Sequence, residues 1–175
     1  MTILGVEHPS VITLGKRAEP SEEIKITLDS LEDLNIQYYK VDRGGHATLH
    51  SPGQLVIYPI LNLSEYGLTV RDYLCALQKS TIAFFDQLGI KTFAKEDSPG
   101  IYTKKGKIAF FGIRVKKGIA FHGLAINVSN DTEDFSLIRS CGASLETFDR
   151  VADHGVKMPL ADLYSRWTDA FLENI

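Results

Sequence analysis

The sequence contains no uninterrupted apolar stretch long enough to span a bilayer, and no basic-then-apolar leader ending in small residues, because Met1 to Leu14 reads as a strand interrupted by polar side chains. No membrane span is expected, and a cytoplasmic protein is. Cysteine is scarce: Cys75 and Cys141 stand far apart, which rules out a disulfide framework or a paired-cysteine metal site. The five histidines show no helical H-x-x-x-H spacing, so neither metal nor cofactor is expected. Excess positive charge is missing as well. With 19 Lys and Arg against 22 Asp and Glu, the net charge of -3 offers no general attraction to nucleic acid or anionic lipid. One local basic stretch exists, formed by Lys104, Lys105, Lys107, Arg114, Lys116 and Lys117. No repeat, low-complexity tract or linker divides the chain, and a single domain over residues 1–175 is expected.

What is present is a hairpin-rich pattern. Ile3 to Leu14 reads as strand broken at His8-Pro9, and Ser21 to Leu34 as a polar loop with a short helix. Ile36 to Val41, Ala47 to Leu49 and Leu55 to Leu61 are β-branched and aromatic, separated by Arg43-Gly44-Gly45 and Ser51-Pro52-Gly53. Thr69 to Leu88 predicts a helix, with Val70, Leu74, Leu77, Phe84, Phe85 and Leu88 recurring at helical spacing and Gly89 as its stop. Ile101 to Thr103, Ile108 to Val115 and Ile119 to Val128 read as strands joined by Lys104-Lys105-Gly106 and Lys116-Lys117-Gly118. A last helix is expected from Pro159 to Leu172. Strands joined by hairpins with few helices between them predict an α+β layer fold with a mixed or antiparallel sheet.

Chemistry concentrates in a few segments. Arg43-Gly44-Gly45-His46-Ala47-Thr48-Leu49-His50-Ser51-Pro52-Gly53-Gln54 carries glycines whose bare N–H groups could cradle a carbonyl oxygen as it becomes negative, and reads equally as a pair of tight turns. Lys107 borders the apolar run Ile108-Ala109-Phe110-Phe111-Gly112. Pattern alone favours a solvated strand end there; an amine pointing into an apolar cleft would instead be poised to accept a proton or to favour a neighbouring thiolate. Cys75 lies within the amphipathic helix and reads as a small buried hydrophobe. Cys141, in a turn before Gly142, has no such periodic explanation, although lone loop cysteines are more often structural than catalytic. His122 alternates with apolar residues on a strand and reads as a hydrogen-bonded, half-buried histidine. His8 and His154 show no partner in the sequence.

Taken together, these segments resemble the lipoate-biosynthetic octanoyltransferases. Glu7 to Gly15 is similar to an early E-H-P-x-V-x-T-L-G strand, and Arg43 to Gln54 to an R-G-G-x-x-T-x-H-G-P-G-Q signature. Lys107-Ile108-Ala109 with Gly112 resembles K-I-A-x-x-G, His122 to Asn127 resembles H-G-F-A-x-N, and Cys141-Gly142 resembles P-C-G. Leu49, Ser51 and Ser140 depart from an aromatic, a glycine and a proline of those motifs, and no counterpart is expected here for the helix that precedes the Glu7 strand in the family.

The resemblance implies a fold shared with biotin and lipoate protein ligases and related to class II synthetases. It implies transfer of an octanoyl group from acyl carrier protein to the lipoyl-domain lysine of lipoate-dependent enzymes, the first step of endogenous protein lipoylation. Cys141 would be the acyl-bearing nucleophile and Lys107 its proton partner. Acyl binding falls to Arg43, Gly44, Gly45, His46, Ala47, Thr48, Leu49 and His50, to Phe110, Phe111 and Gly112, and to Gly123, Leu124 and Ala125, with His122 and Asn127 in support. Backbone N–H groups around Gly44, Gly45 or Gly142 would stabilise the oxyanion. The acceptors implied are lipoyl domains of 2-oxoacid dehydrogenase complexes and the glycine cleavage H protein, and a monomer is expected. An ATP-dependent lipoate-protein ligase, an amidotransferase moving the acyl group between proteins, and a non-catalytic acyl or carrier-protein binder are the competing readings.

Overall fold

The computed structural model of the chain describes residues 1–96, 98–139 and 147–175. Its larger sheet has the order β1-β5-β9-β8-β7-β6, with β1 at Thr2–Val6, β5 at Gln54–Asn62, β6 at Phe93–Lys95, β7 at Ser98–Tyr102, β8 at Lys107–Lys116 and β9 at Ile119–Asn127. Every neighbouring pair in it is antiparallel. A smaller sheet, β3-β2-β4, joins β2 (Val11–Leu14) in parallel to β3 (Gln37–Lys40) and antiparallel to β4 (Ala47–His50). The break expected at His8-Pro9 thus does more than interrupt a strand, because its two halves enter different sheets. Between β2 and β3 lie two short helices, α1 (Pro20–Glu23) and α2 (Leu28–Asp33), where one was expected.

Helices α3 (Val70–Gln87) and α4 (Leu160–Leu172) cover one face of the larger sheet. Helix α3 starts where Thr69 and Asp72 form a reciprocal capping box, which satisfies N–H groups that the first turn leaves open. It stops where Gly89 adopts a φ of 74°. Its buried face runs through Tyr73, Leu77, Phe84 and Phe85. Cys75, two positions beyond Tyr73 and so about 200° around the helix, is exposed and is not the buried hydrophobe its apolar neighbours suggest. Val70 is exposed for a similar reason, at the helix's open first turn. Thr81 donates to the Leu77 carbonyl at 2.7 Å and accepts the Trp167 indole N–H of α4 at 3.0 Å, so the buried hydroxyl is fully used.

A second core, with Ile12, Leu14, Leu31, Leu49, Phe135 and Ile138, lies behind the smaller sheet. Between the two sheets opens a cavity of about 940 Å³. That volume lies at the upper end of the range for small-molecule sites.

Candidate functional site

One wall of the cavity comes from β8 and β9 and is mainly apolar: Phe110, Phe111, Gly112, Gly123, Leu124 and Ala125 line it. Four consecutive residues, His122 to Ala125, reach the cavity, which the alternation of a regular strand forbids. The backbone supplies the reason. His122 has a φ of 58°, and the β5–β9 pairing lapses between Leu124 and Ala120, opposite Pro59, which has no N–H to give. The left-handed residue turns the imidazole into the cavity, where Nε2 lies 3.1 Å from the Asp42 carboxylate. That hydrogen bond, ahead of the smaller opposing effect of desolvation, holds the Asp42 carboxyl below its ordinary range.

The facing wall is polar and comes from β2, β4 and the turn that joins β3 to β4. Arg43 is buried and spans both sheets. Its guanidinium donates to the Thr13 carbonyl at 2.6 Å and to Thr13 Oγ1 at 2.9 and 3.1 Å. Its stem crosses Gly112, where a Cβ would come within 3.1 Å of Arg43 Cδ. The Gly44 N–H donates to the Ile113 carbonyl at 3.0 Å, which staples the turn to β8. Gly44 therefore lines the cavity but has no N–H left for an oxyanion. The Gly45 N–H donates to no acceptor among the described residues.

Along β4 the side chains alternate. Thr48 and His50 face the cavity, while Ala47 and Leu49 belong to the second core; Ala47 still borders the cavity, and the fully buried Leu49 does not. The two-residue period of its strand thus turns Leu49, expected among the acyl-binding residues, away from the cavity. His50 Nδ1 lies 2.7 Å from Gln54 Oε1, the Gln54 amide donates to Asn127 Oδ1 at 3.0 Å, and Asn127 donates to the Asp149 carbonyl at 3.1 Å. Since Gln54 offers an oxygen, Nδ1 carries the His50 proton and Nε2 is left as an acceptor. Burial drives the His50 pKa down to about 4 against the smaller opposing pull of the Gln54 bond, so the ring is neutral at neutral pH. Asn127 is buried behind this wall and supports it without entering the cavity.

Lys107 opens β8 and is fully buried, although it follows a polar hairpin turn. A parallel bridge explains this. The Lys107 N–H donates to the Thr147 carbonyl at 2.9 Å and the Lys107 carbonyl accepts the Asp149 N–H at 3.0 Å, so residues 147–149 cover the strand end. Its Nζ sits 5.1 Å from the Phe110 ring centroid and 5.5 Å from that of Tyr102. Gly100 leaves the room, since a Cβ there would stand 2.5 Å from Lys107 Cε.

Cys141 and Gly142 lie outside the described residues. The chain on both sides is described: the Arg139 N–H donates to the Glu23 carbonyl at 2.7 Å, and Thr147 is tied to Lys107. Asp149 gathers Thr103, the Arg150 N–H and His154, whose Nε2 is 2.7 Å away. Desolvation raises its pKa, but these bonds together outweigh it and bring the carboxyl below its ordinary range.

Several residues at the cavity carry a weak sequence signal or none. His8, whose Nε2 is 2.8 Å from the Tyr58 hydroxyl, joins His50 with ring centroids 5.7 Å apart. Burial lowers the His8 pKa and raises that of Tyr58. The E-H-P-x-V-x-T-L-G motif was the available pointer to His8 and Thr13; nothing marked Tyr58, or Glu23 behind the wall. Among the described residues no group of three or more His, Cys, Asp or Glu side chains could hold a metal ion. Among the described residues no helix is long and apolar enough to cross a membrane.

Comparison with known proteins bears on this geometry. Residues 1–171 match the family profile of the lipoyl protein ligase A/B catalytic domain. The chain is 41% identical over 155 residues to an octanoyltransferase of Halorhodospira halophila, covering 89% of this chain and 68% of that one. It is 40% identical over 172 residues to an octanoyltransferase of Alkalilimnicola ehrlichii, covering 96% and 77%. Among solved structures, the bipartite lipoate protein ligase of Thermoplasma acidophilum, studied with its E2 lipoyl domain, superposes with a TM-score of 0.81 at 16% identity, over 98% of this chain and 70% of that one. The biotin protein ligase of Aquifex aeolicus does so with a TM-score of 0.58 at 15% identity, over 94% and 69%. These likenesses establish the ligase-type α+β fold.

Proposed function

The chain belongs to the lipoyl protein ligase A/B catalytic-domain family as one of its octanoyltransferases, and on that premise we propose that it carries the acyl group on Cys141 with Lys107 as proton partner. The donor is octanoyl-acyl carrier protein and the acceptor a lysine on a lipoyl domain. In the first half, the Cys141 thiolate attacks the carrier thioester after its proton has moved toward Lys107, and the carrier thiol leaves protonated. One thioester replaces another, so orientation and oxyanion stabilisation are the main demands. The Gly45 N–H is the open donor of the glycine turn. In the second half the lysine amine attacks, the amide forms and Cys141 is released.

One observation carries this reading: a lysine with no solvent exposure opens onto an apolar-walled cavity between the sheets. The first described residue beyond the Cys141 segment, Thr147, is hydrogen-bonded to that lysine. Lining residues Phe111 and Leu124 suit an alkyl tail, whose six or so methylenes bring roughly 5 kcal/mol of gross affinity at about 0.8 kcal/mol each. Since one methylene is weakly discriminated, neighbouring chain lengths are accepted too.

Incubation with octanoyl-carrier protein, followed by intact mass measurement, tests the reading. We expect an octanoyl adduct on the wild type and on Cys75→Ala, whose thiol sits on the outer face of α3, and none on Cys141→Ala. An adduct that persists in Cys141→Ala would remove the mechanism.

A further inference from the structure

The cavity wall holds a second proton-transfer pair that the family signature does not require. Residue 46 occupies a variable position of R-G-G-x-x-T, and here it is histidine. Its Nδ1 lies 2.5 Å from Glu23 Oε1, and the other Glu23 oxygen accepts the Ala47 N–H at 2.8 Å. A carboxylate fixed by two partners accepts a hydrogen bond from Nδ1–H, so the lone pair of the neutral ring sits on Nε2. That nitrogen meets no hydrogen-bond partner among the described residues. The His46 side chain is 33% exposed and lines the cavity, whereas the Glu23 side chain is 8% exposed.

A buried carboxylate that orients an imidazole toward an open cavity is the arrangement by which proteins hold a general base in one tautomer. Glu23 has a second connection. Its backbone carbonyl accepts the Arg139 N–H at 2.7 Å, two positions before Cys141, so one residue both aims His46 and anchors the chain entering the proposed nucleophile segment.

We propose that His46 is the base that strips the acceptor lysine of its ammonium proton before attack, with Glu23 as its positioning residue. This rests on the octanoyltransferase reading given above. Proton bookkeeping asks for such a group. A lysine ammonium must lose two protons to become an amide nitrogen. The first passes to His46 Nε2 and on to solvent, which frees the lone pair to form the C–N bond. The tetrahedral intermediate then breaks its C–S bond, and the second proton goes from nitrogen by way of Lys107 to the departing Cys141 sulfur. Amide, free thiol and one released proton result. Lys107 alone can carry one of the two. The charged groups around His46 are Glu23 in contact with it and Arg17 and Arg43, which line the same cavity.

The test compares two acceptors in the full chain: a lipoyl-domain lysine and hydroxylamine, which is already neutral at neutral pH. In His46→Gln, lysine transfer should fall on the order of 100-fold, while hydroxylamine transfer falls far less. Glu23→Gln should show the same selectivity with a smaller loss, together with a displaced limb in the pH–rate profile for lysine. An equal fall for both acceptors in both variants, or an unchanged lysine rate in His46→Gln, would make the pair a structural part of the wall and overturn the proposal. If octanoyl transfer to lysine proceeds without a Cys141 adduct, the covalent reading fails while the acceptor ratio still decides the role of His46.

Discussion

The wall of the cavity built from β8 and β9 is held by packing against the larger core, whereas the facing wall is held by hydrogen bonds from residues distant in sequence. Phe111 and Leu124 sit in the first because the sheet behind them is buried. Thr13 secures Arg43, Glu23 secures His46, and Asn127, through the local Gln54–His50 bond, secures His50 in the second. An apolar wall tolerates changes of shape at the cost of affinity for a tail. A wall of satisfied buried polar groups does not tolerate loss of one partner, because the other is then left desolvated and unpaired. Lys107 is the exception that joins them, an amine enclosed by the apolar wall.

The sharpest way to break this contrast is therefore Lys107→Met, which keeps the bulk and removes the amine. Acyl-enzyme formation should slow by about 10²–10⁴-fold, while a cooperative melting transition is retained, since the side-chain volume is kept. A mass-detected time course with octanoyl-carrier protein, beside a melting curve, reads both. A near-normal rate would return Lys107 to the role of a structural residue.

A smaller effect is expected from adding a single carbon to the space Lys107 uses. In Gly100→Ala the new Cβ would stand 2.5 Å from Lys107 Cε and 2.6 Å from the Ala109 carbonyl oxygen, and the latter belongs to a strand that cannot withdraw. Overpacking of this kind costs about 1–3 kcal/mol, and the lysine must shift. Gly67→Ala is the contrast: nothing lies within 4 Å of its Cβ, and the residue's φ of 64° is the strained feature. It should lose about 1 kcal/mol and keep its transfer rate. Denaturant melts and acylation rates of the two variants separate crowding at the site from backbone strain elsewhere.

The packed wall was largely legible in the sequence and the hydrogen-bonded one was not. The helix over α3, its Thr69 start and its Gly89 stop follow from periodicity and capping, and the β8–β9 hairpin follows from its apolar runs and glycine turn. Lys107 ran the other way, because a strand end after Lys104-Lys105-Gly106 reads as solvated until residues 147–149 are known to cover it. The short edge strand β6, with all three residues exposed, has no apolar alternation to reveal it. Glu23 fell in a segment polar enough to pass for loop, yet it is buried because His46 and Ala47 supply its partners from 23 and 24 positions away. Cys75 shows the converse error, where apolar neighbours on a helix said nothing about which face was covered. Long-range polar pairing has no sequence period, so only family motifs pointed to that wall.

The least of the expected effects distinguishes the two walls by pH. With its pKa at about 4 in the fold against an ordinary 6.5, His50 stays neutral in the native state while it gains a proton in the unfolded chain. Above about pH 6.5 both states are neutral and His50 adds no pH dependence. Below that the unfolded state binds the extra proton, so stability falls with pH and the loss levels off once the native ring also titrates, near pH 4. By pH 5.5 the difference amounts to roughly 1 kcal/mol, and burial that leaves part of the residue open to the cavity sets this as an upper figure. His50→Gln removes the titration but keeps polar atoms facing Gln54. The wild-type stability measured by urea melts should drop relative to His50→Gln as pH falls from about 7 to 5.5. A constant difference between the two proteins across that range would mean that His50 is charged in the native cavity, and that its wall is wetter than the hydrogen-bond chain through Gln54 and Asn127 implies.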